Sequence, residues 1–147
     1  MKILLAIDPG QNTGWAYFWQ GKLSCCGLTK GPNYSLGPLL NTTYLEVVIE
    51  RPLIYRPRLM KGDPNDLIVL ALLAGRFQER ALAAGAEVKL VTPVEWKGSV
   101  PKEVSNSRTL AKLRPEEKAI LDGVKCAASA KHNVVDALGI GIWRLGR

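Results

Sequence analysis

Cysteine is scarce in this chain, and its three occurrences exclude more than they offer. Cys25, Cys26 and Cys126 are odd in number and lack any paired CxxC spacing, which argues against a disulfide framework and against a zinc site. Long apolar runs are missing too, since no stretch approaches the roughly 20 residues that a membrane span needs. The opening "MKILLAIDPG" has one lysine and five apolar residues before Asp8, too short for a signal-peptide core. These absences point to a soluble protein of a reducing cytoplasm with no membrane partner. Acidic residues are the minority, 13 against 20 Lys and Arg, for a net charge of +7. Such a balance favours a polyanionic partner, nucleic acid first. Repeats and linkers are also lacking. With 47% hydrophobic content, the 147 residues suffice for one cored domain, 1–147.

What is present is a succession of strands followed by alternation. "KILLAID" is a continuous apolar run ending in an acid, as expected of a strand buried on both faces. "WAYFWQ" and "GKLSCCGLT" flank a tight turn at Gln20-Gly21 and complete a three-stranded antiparallel meander. "KGPNYSLGPLLNTT" has loop composition with room for a short helical turn. "YLEVVIE" is a fourth strand, again ending in an acid, Glu50. "RPLIYRPRLMKGD" has the composition of an exposed basic loop.

From Pro64 to Ala84 the period turns helical, with Asp63 as cap, proline at the first position and Gly85 as the stop. "AEVKLV" is a fifth strand, and "TPVEWK" carries a capping box of Thr92 and Glu95. "GSVPKEVSNSR" has the composition of a mobile segment, with short helical pieces expected at Thr109–Leu113 and Pro115–Asp122. Ser129 is positioned to cap a last helix running to about Leu145. The fold class is therefore α/β, a mixed sheet of about five strands, three antiparallel and then parallel, flanked by helices.

Asp8 and Glu50 each close an apolar strand. If those strands are parallel neighbours, the two acids meet at one sheet edge with backbones about 5 Å apart, where ligand sites of open α/β sheets form. A hard divalent cation would neutralise them; singly, an acid after a strand is more often a turn residue or helix cap. The glycines of "DPGQNTG" would also admit a phosphate, as in actin-like ATPases. Those proteins need a duplicated domain for which this chain has no room, so no nucleotide cofactor is expected.

The whole pattern resembles the RuvC-type Holliday junction resolvases of the RNase H-like superfamily, particularly their compact phage forms, over nearly the full chain. "AIDPGQNTGWAYF" is similar to the family's first strand and hairpin, with Asp8 at the first catalytic position. "VVIERP" is similar to its fourth strand, with Glu50 at the second. The Pro64–Ala84 helix resembles the long helix that packs across the family's dimer. "VTPVEWK" resembles the stretch in which Lys97 falls on a position that handles DNA phosphate, and "NVVDALGIGI" the last helix, carrying Asp136. Two features depart from the pattern. The segment between the third and fourth strands is short for the helix usually found there. Three residues before the final aspartate, where the family has an acid or histidine, stands Asn133, with His132 one residue earlier. At 3.6 residues per turn His132 lies about 40° from Asp136 around the helix and Asn133 about 60° on the other side. Histidine is the better ligand and the one candidate base, so His132 is chosen as the fourth group and Asn133 as a supporting one.

The resemblance implies a metal-dependent, structure-selective endodeoxyribonuclease. It would resolve four-way or branched DNA by paired symmetric nicks, leaving 5′-phosphate and 3′-hydroxyl ends. Its cofactors would be two divalent cations, Mg²⁺ or Mn²⁺, about 4 Å apart among Asp8, Glu50, His132 and Asp136. An imidazole ligand suits Mn²⁺ better than Mg²⁺. Paired nicks require two sites, hence a homodimer, for which the apolar "LIVLALLAG" face is the expected contact. Arg51, Arg56, Arg58, Lys61, Lys97, Lys102 and Arg108 would track phosphates, and Leu53, Ile54 or Tyr55 would wedge the crossover. The alternatives are an RNase H-like nuclease of RNA–DNA hybrid or structured RNA, and a non-catalytic junction-binding protein. The cell cytoplasm, that of the host for a phage protein, is the expected compartment.

Overall fold

Five strands, β1 (Ile3–Asp8), β2 (Asn12–Trp19), β3 (Lys22–Lys30), β4 (Leu45–Glu50) and β5 (Glu87–Val91), form one sheet in the order β3-β2-β1-β4-β5 in a computed structural model. The structure describes residues 2–30, 36, 40, 45–54 and 62–147. The first three strands form the expected antiparallel meander, whereas β4 runs parallel to β1 and β5 parallel to β4. The meander turns at Gln20 (φ 50°) and Gly21 (φ 75°). Two successive left-handed residues match the right-handed twist of flanking strands, and a glycine accommodates that conformation readily.

Period-2 alternation sorts each strand between two cores. Ile3, Leu5 and Ile7 of β1 join Val47 and Ile49 of β4 on one face. There they pack against Leu73, Ala74, Phe77 and Ala81 of α1 (Pro64–Ala83), with Leu36 and Leu40. Leu4, Ala6, Ala16, Phe18 and Val48 point the other way, onto Val134, Val135, Ala137, Leu138, Ile140 and Ile142 of α5 (Lys131–Arg144). Full burial of each such side chain contributes about 1.5–3 kcal/mol, so α5 is the main cover of this face. The same alternation dictates where the polar strand residues go. Asp8 continues the series of Leu4 and Ala6, and Glu50 that of Glu46 and Val48. Both terminal acids therefore face α5.

Small residues set how closely α5 approaches. A Cβ at Gly14, the β2 partner of Asp8, would lie 1.9 Å from the Asn133 carbonyl oxygen. A Cβ at Gly141 would lie 2.2 Å from the Phe18 ring, and one at Gly139 would lie 2.5 Å from the Trp96 ring. At the far end of the sheet Glu46 accepts from Arg144 in the last turn of α5 and pairs with Lys2 at 2.9 Å. These contacts hold its carboxyl below the usual range despite the opposing effect of burial. Asp136 and Arg144 are eight residues apart, about 12 Å along a helix. Glu50 and Glu46 are four apart, about 13 Å along a strand. One helix thus spans both polar ends of the strand.

The rest of the α5 face is closed by α2 (Pro93–Lys97), α3 (Lys102–Lys112) and α4 (Pro115–Asp122), with a 3-10 turn at Ala128–Ala130. The capping interaction at Thr92 is formed: the Glu95 carboxylate accepts from the Thr92 backbone N–H at 2.6 Å and hydroxyl at 2.9 Å. Glu117 of α4 is fully buried. It accepts from the Leu23 and Arg114 N–H groups and from Arg147, which hold its carboxyl at about 2 against the effect of burial. That clamp ties α4 and the last residue to β3.

Three expectations need correction. The segment expected to be mobile is largely the helix α3, of which Thr109–Leu113 is only the end. Ser129 does not cap the last helix. The 3-10 turn intervenes and Ala130 is the cap residue, without a side-chain bond. The long helix ends at Ala83, one residue short of the expected Ala84, with Gly85 beyond it at φ 81°. The short helical turn expected between β3 and β4 lies mostly outside the described residues.

Candidate active site

Asp8 ends β1, Glu50 ends β4, and Asp136 lies in the second turn of α5, where Gly14 lets the first turn settle on the sheet. All three carboxyl groups interact. Burial first, then the charges of Glu50 and Asp136, push the Asp8 carboxyl well above the ordinary range, with Lys97 and Lys102 opposing them. Glu50 is also pushed up, chiefly by burial and additionally by Asp136, against a hydrogen bond from Trp96 and the charges of Lys97 and Lys102. Asp136 is 7% exposed. Its Oδ2 lies 3.5 Å from Lys102 Nζ, and its Oδ1 is buried without a hydrogen-bond partner.

Two of these carboxylates are therefore held from outside the cluster. The Trp96 indole N–H donates to Glu50 Oε2, and Lys102 draws on Asp136. Among the described residues no three acids, cysteines or histidines stand as close together as direct metal coordination requires. The chemistry of the side chains nevertheless suits a hard cation: three carboxyl groups that interact, one of them with a buried oxygen that has no hydrogen-bond partner, beside the ammonium groups of Lys97 and Lys102.

The structure brings Asp8, Glu50 and Asp136 within electrostatic reach of one another, and Lys97, expected to handle DNA phosphate, acts on the same carboxyl groups. Lys102, expected to track phosphate, approaches Asp136 from the first turn of α3. His132 is half-buried in the first turn of α5 and, among the described residues, makes no hydrogen bond or ion pair. Asn133 Nδ2 donates to the Ala130 carbonyl at 3.2 Å, tying the 3-10 turn to α5. Arg51 and Arg108 are exposed, Leu53 is half-buried, and Ile54 is 81% exposed just beyond β4. Tyr55, Arg56, Arg58 and Lys61 lie outside the described residues.

Two contributors escaped the sequence reading. Trp96 lies in a short helix where an aromatic is expected to be core, and indeed it is 8% exposed. Only its bond to Glu50, 46 residues away, reveals a role at the site. Gly14 belonged to a turn motif, and its contact with α5 has no local signature.

No protein-family model matches this chain, and no curated protein matches it. Solved structures do. RuvC of T. thermophilus in complex with a Holliday junction substrate is 20% identical, with a TM-score of 0.65 over 97% of this chain and 92% of that one. A second Thermus thermophilus RuvC structure gives a TM-score of 0.53 at 20% identity, covering 96% and 92%. The yeast mitochondrial Holliday junction resolvase Ydc2 gives 0.52 at 15% identity, covering 98% of this chain and 80% of that chain. The likeness is one of fold: this chain has the α/β architecture of RuvC, the RNase H-like mixed sheet that the sequence pattern leads one to expect.

Proposed function

We propose that the protein is a divalent-metal-dependent endonuclease that resolves four-way DNA junctions. The carrying observation is the meeting of Asp8, Glu50 and Asp136, from three separate elements, in a largely desolvated cluster, where loss of solvent first and the charges of Glu50 and Asp136 next push Asp8 up. Burying like charges together is costly unless a cation neutralises them. The fold shared with two junction-resolving proteins supports the same reading.

Asp8, Glu50 and Asp136 would hold the cations, with His132 as the fourth ligand. When bound, such ions lower the pKa of water and stabilise charge on the scissile phosphate and the departing oxygen. The chain itself supplies the rest. Lys97 and Lys102 flank the carboxylates and would seat the phosphate. Arg51 and Arg108 would extend the contact along the backbone, and Ile54 would wedge the crossover. Cleavage leaves 5′-phosphate and 3′-hydroxyl ends.

His132 is preferred to Asn133 because an imidazole nitrogen is a better ligand than a neutral amide oxygen, and the Asn133 side chain is tethered through Nδ2 to the Ala130 carbonyl. His132→Ala should therefore lower Mn²⁺-supported cleavage by at least the roughly 10–100-fold that loss of an outer-shell partner costs, whereas Asn133→Ala should change it less. The reverse ranking in single-turnover rates would move the fourth ligand to Asn133.

Symmetric nicking calls for a C2 dimer. The α1 helix packs one stripe on its own sheet and leaves Ile68, Val69 and Leu72 59%, 63% and 66% exposed, an apolar row suited to a second copy. Leu72→Glu should shift the sedimentation coefficient from dimer to monomer and convert paired nicks to single ones. Dimeric sedimentation of the variant would remove α1 from the interface.

The test of the function is a cleavage assay on four substrates, a four-way junction, linear duplex, RNA–DNA hybrid and structured RNA, each with Mg²⁺ or Mn²⁺. Paired nicks on the junction are expected, with Mn²⁺ the better metal. Preferential cutting of the hybrid would identify an RNase H-like nuclease. Junction binding without product would identify a non-catalytic binder.

A further inference from the structure

The bond between Trp96 and Glu50 assigns a task to two residues outside the carboxylate cluster. Trp96 projects from α2 with its indole N–H on Glu50 Oε2 and its ring nearly enclosed. The enclosure is made by α5: a Cβ at position 139 would lie 2.5 and 3.2 Å from two carbons of the Trp96 benzo ring and 2.9 Å from Thr109 Oγ1. Gly139 is thus the socket into which the ring fits. It stands one turn beyond Asp136 on the same helix. The helix that carries one carboxylate therefore seats the side chain that orients another.

We propose that Trp96 is a positioning residue for the metal site, seated by Gly139. It fixes the Glu50 rotamer by binding one carboxylate oxygen, leaving the other directed to the cation. An outer hydrogen bond of this kind orients a ligand, and its loss typically weakens metal binding 10–100-fold. Lys97 reinforces the seat, with its ammonium 4.9 Å from the centroid of the Trp96 ring, within the range of a cation–π contact. The inference rests on the reading of Asp8, Glu50 and Asp136 as a cation site.

Direct Mn²⁺ binding tests it without recourse to activity, by electron paramagnetic resonance of the free ion. Trp96→Phe keeps most of the ring and removes the donor. It should weaken Mn²⁺ binding by about 10-fold or more, and Trp96→His should recover part of the loss. The imidazole Nε2–H is as many bonds from the backbone as the indole N–H. Gly139→Ala, which crowds the ring off its seat, should weaken binding as Trp96→Phe does. Wild-type affinity in Trp96→Phe, or no recovery in Trp96→His, would overturn the positioning role while leaving the cation site standing. Absence of Mn²⁺ uptake by the wild-type protein would overturn both.

Discussion

Asp8→Asn should leave four-way-junction binding intact while lowering cleavage about 10³-fold or more, because loss of a metal ligand removes several kcal/mol of transition-state stabilisation. The same substitution should raise the melting temperature of the metal-free protein. Asp8 is half-buried beside Glu50 and Asp136, and its carboxyl is pushed up by loss of solvent first and by those charges next. A neutral amide of the same shape relieves the repulsion. The pH dependence follows from the direction of the shift. With the folded pKa above the unfolded one, the unfolded state gives up its proton first as pH rises. The metal-free wild type then has the full contribution of Asp8 below the unfolded pKa and loses it as pH rises through the folded pKa. Asp8→Asn should flatten that decline. Thermal melts in EDTA across pH, alongside junction gel shifts and single-turnover cleavage, check all three outcomes. A variant that cuts at the wild-type rate, or that melts lower than wild type in EDTA at neutral pH, would refute this account of Asp8.

The two strand-end acids were legible because both strands are continuous apolar runs that stop at an acid, and parallel neighbours put such ends together. Asp136 was harder, since only tertiary burial separates a core carboxylate from a surface one on the same helix. The helix α3 was missed for a physical reason: the residues it buries are Ser105 and Thr109, small and polar, so no apolar period marks it. Thr109 packs there because Gly139 of α5 offers no side chain. The cap at Ser129 failed because the 3-10 turn displaces the helix start by one residue, to Lys131, and the Asn133 side chain reaches back to the Ala130 carbonyl instead. Local signals thus placed strands, turns and proline-capped helices. The groups that orient the carboxylates, Trp96 and Lys102, are set by contacts across the chain that no local window contains.

Gly14→Ala should have the largest structural effect of any single methyl group near the site. The new Cβ would stand 1.9 Å from the Asn133 carbonyl oxygen, 2.3 Å from its carbonyl carbon and 2.8 Å from the Val134 nitrogen. All three are backbone atoms, so no rotamer change relieves the clash and α5 has to move. Its freedom to do so is small, because Gly139 and Gly141 lock it against the rings of Trp96 and Phe18. The expected cost is about 3 kcal/mol or more, the upper range of overpacking, or roughly 10 °C in melting temperature. The displacement is applied beside Asp8, the strand partner of Gly14, and within one turn of Asp136. Cleavage should therefore fall even at temperatures where the variant is fully folded. Gly141→Ala is the control. Its Cβ would meet the fully buried Phe18 ring at 2.2 Å, more than a turn from Asp136. It should lower the melting temperature comparably, yet retain cleavage wherever it is folded. Equal loss of cleavage in the two folded variants would mean that general destabilisation, rather than the seating of Asp136 against Asp8, controls the rate. Wild-type melting in Gly14→Ala would mean that α5 does not rest on this part of β2.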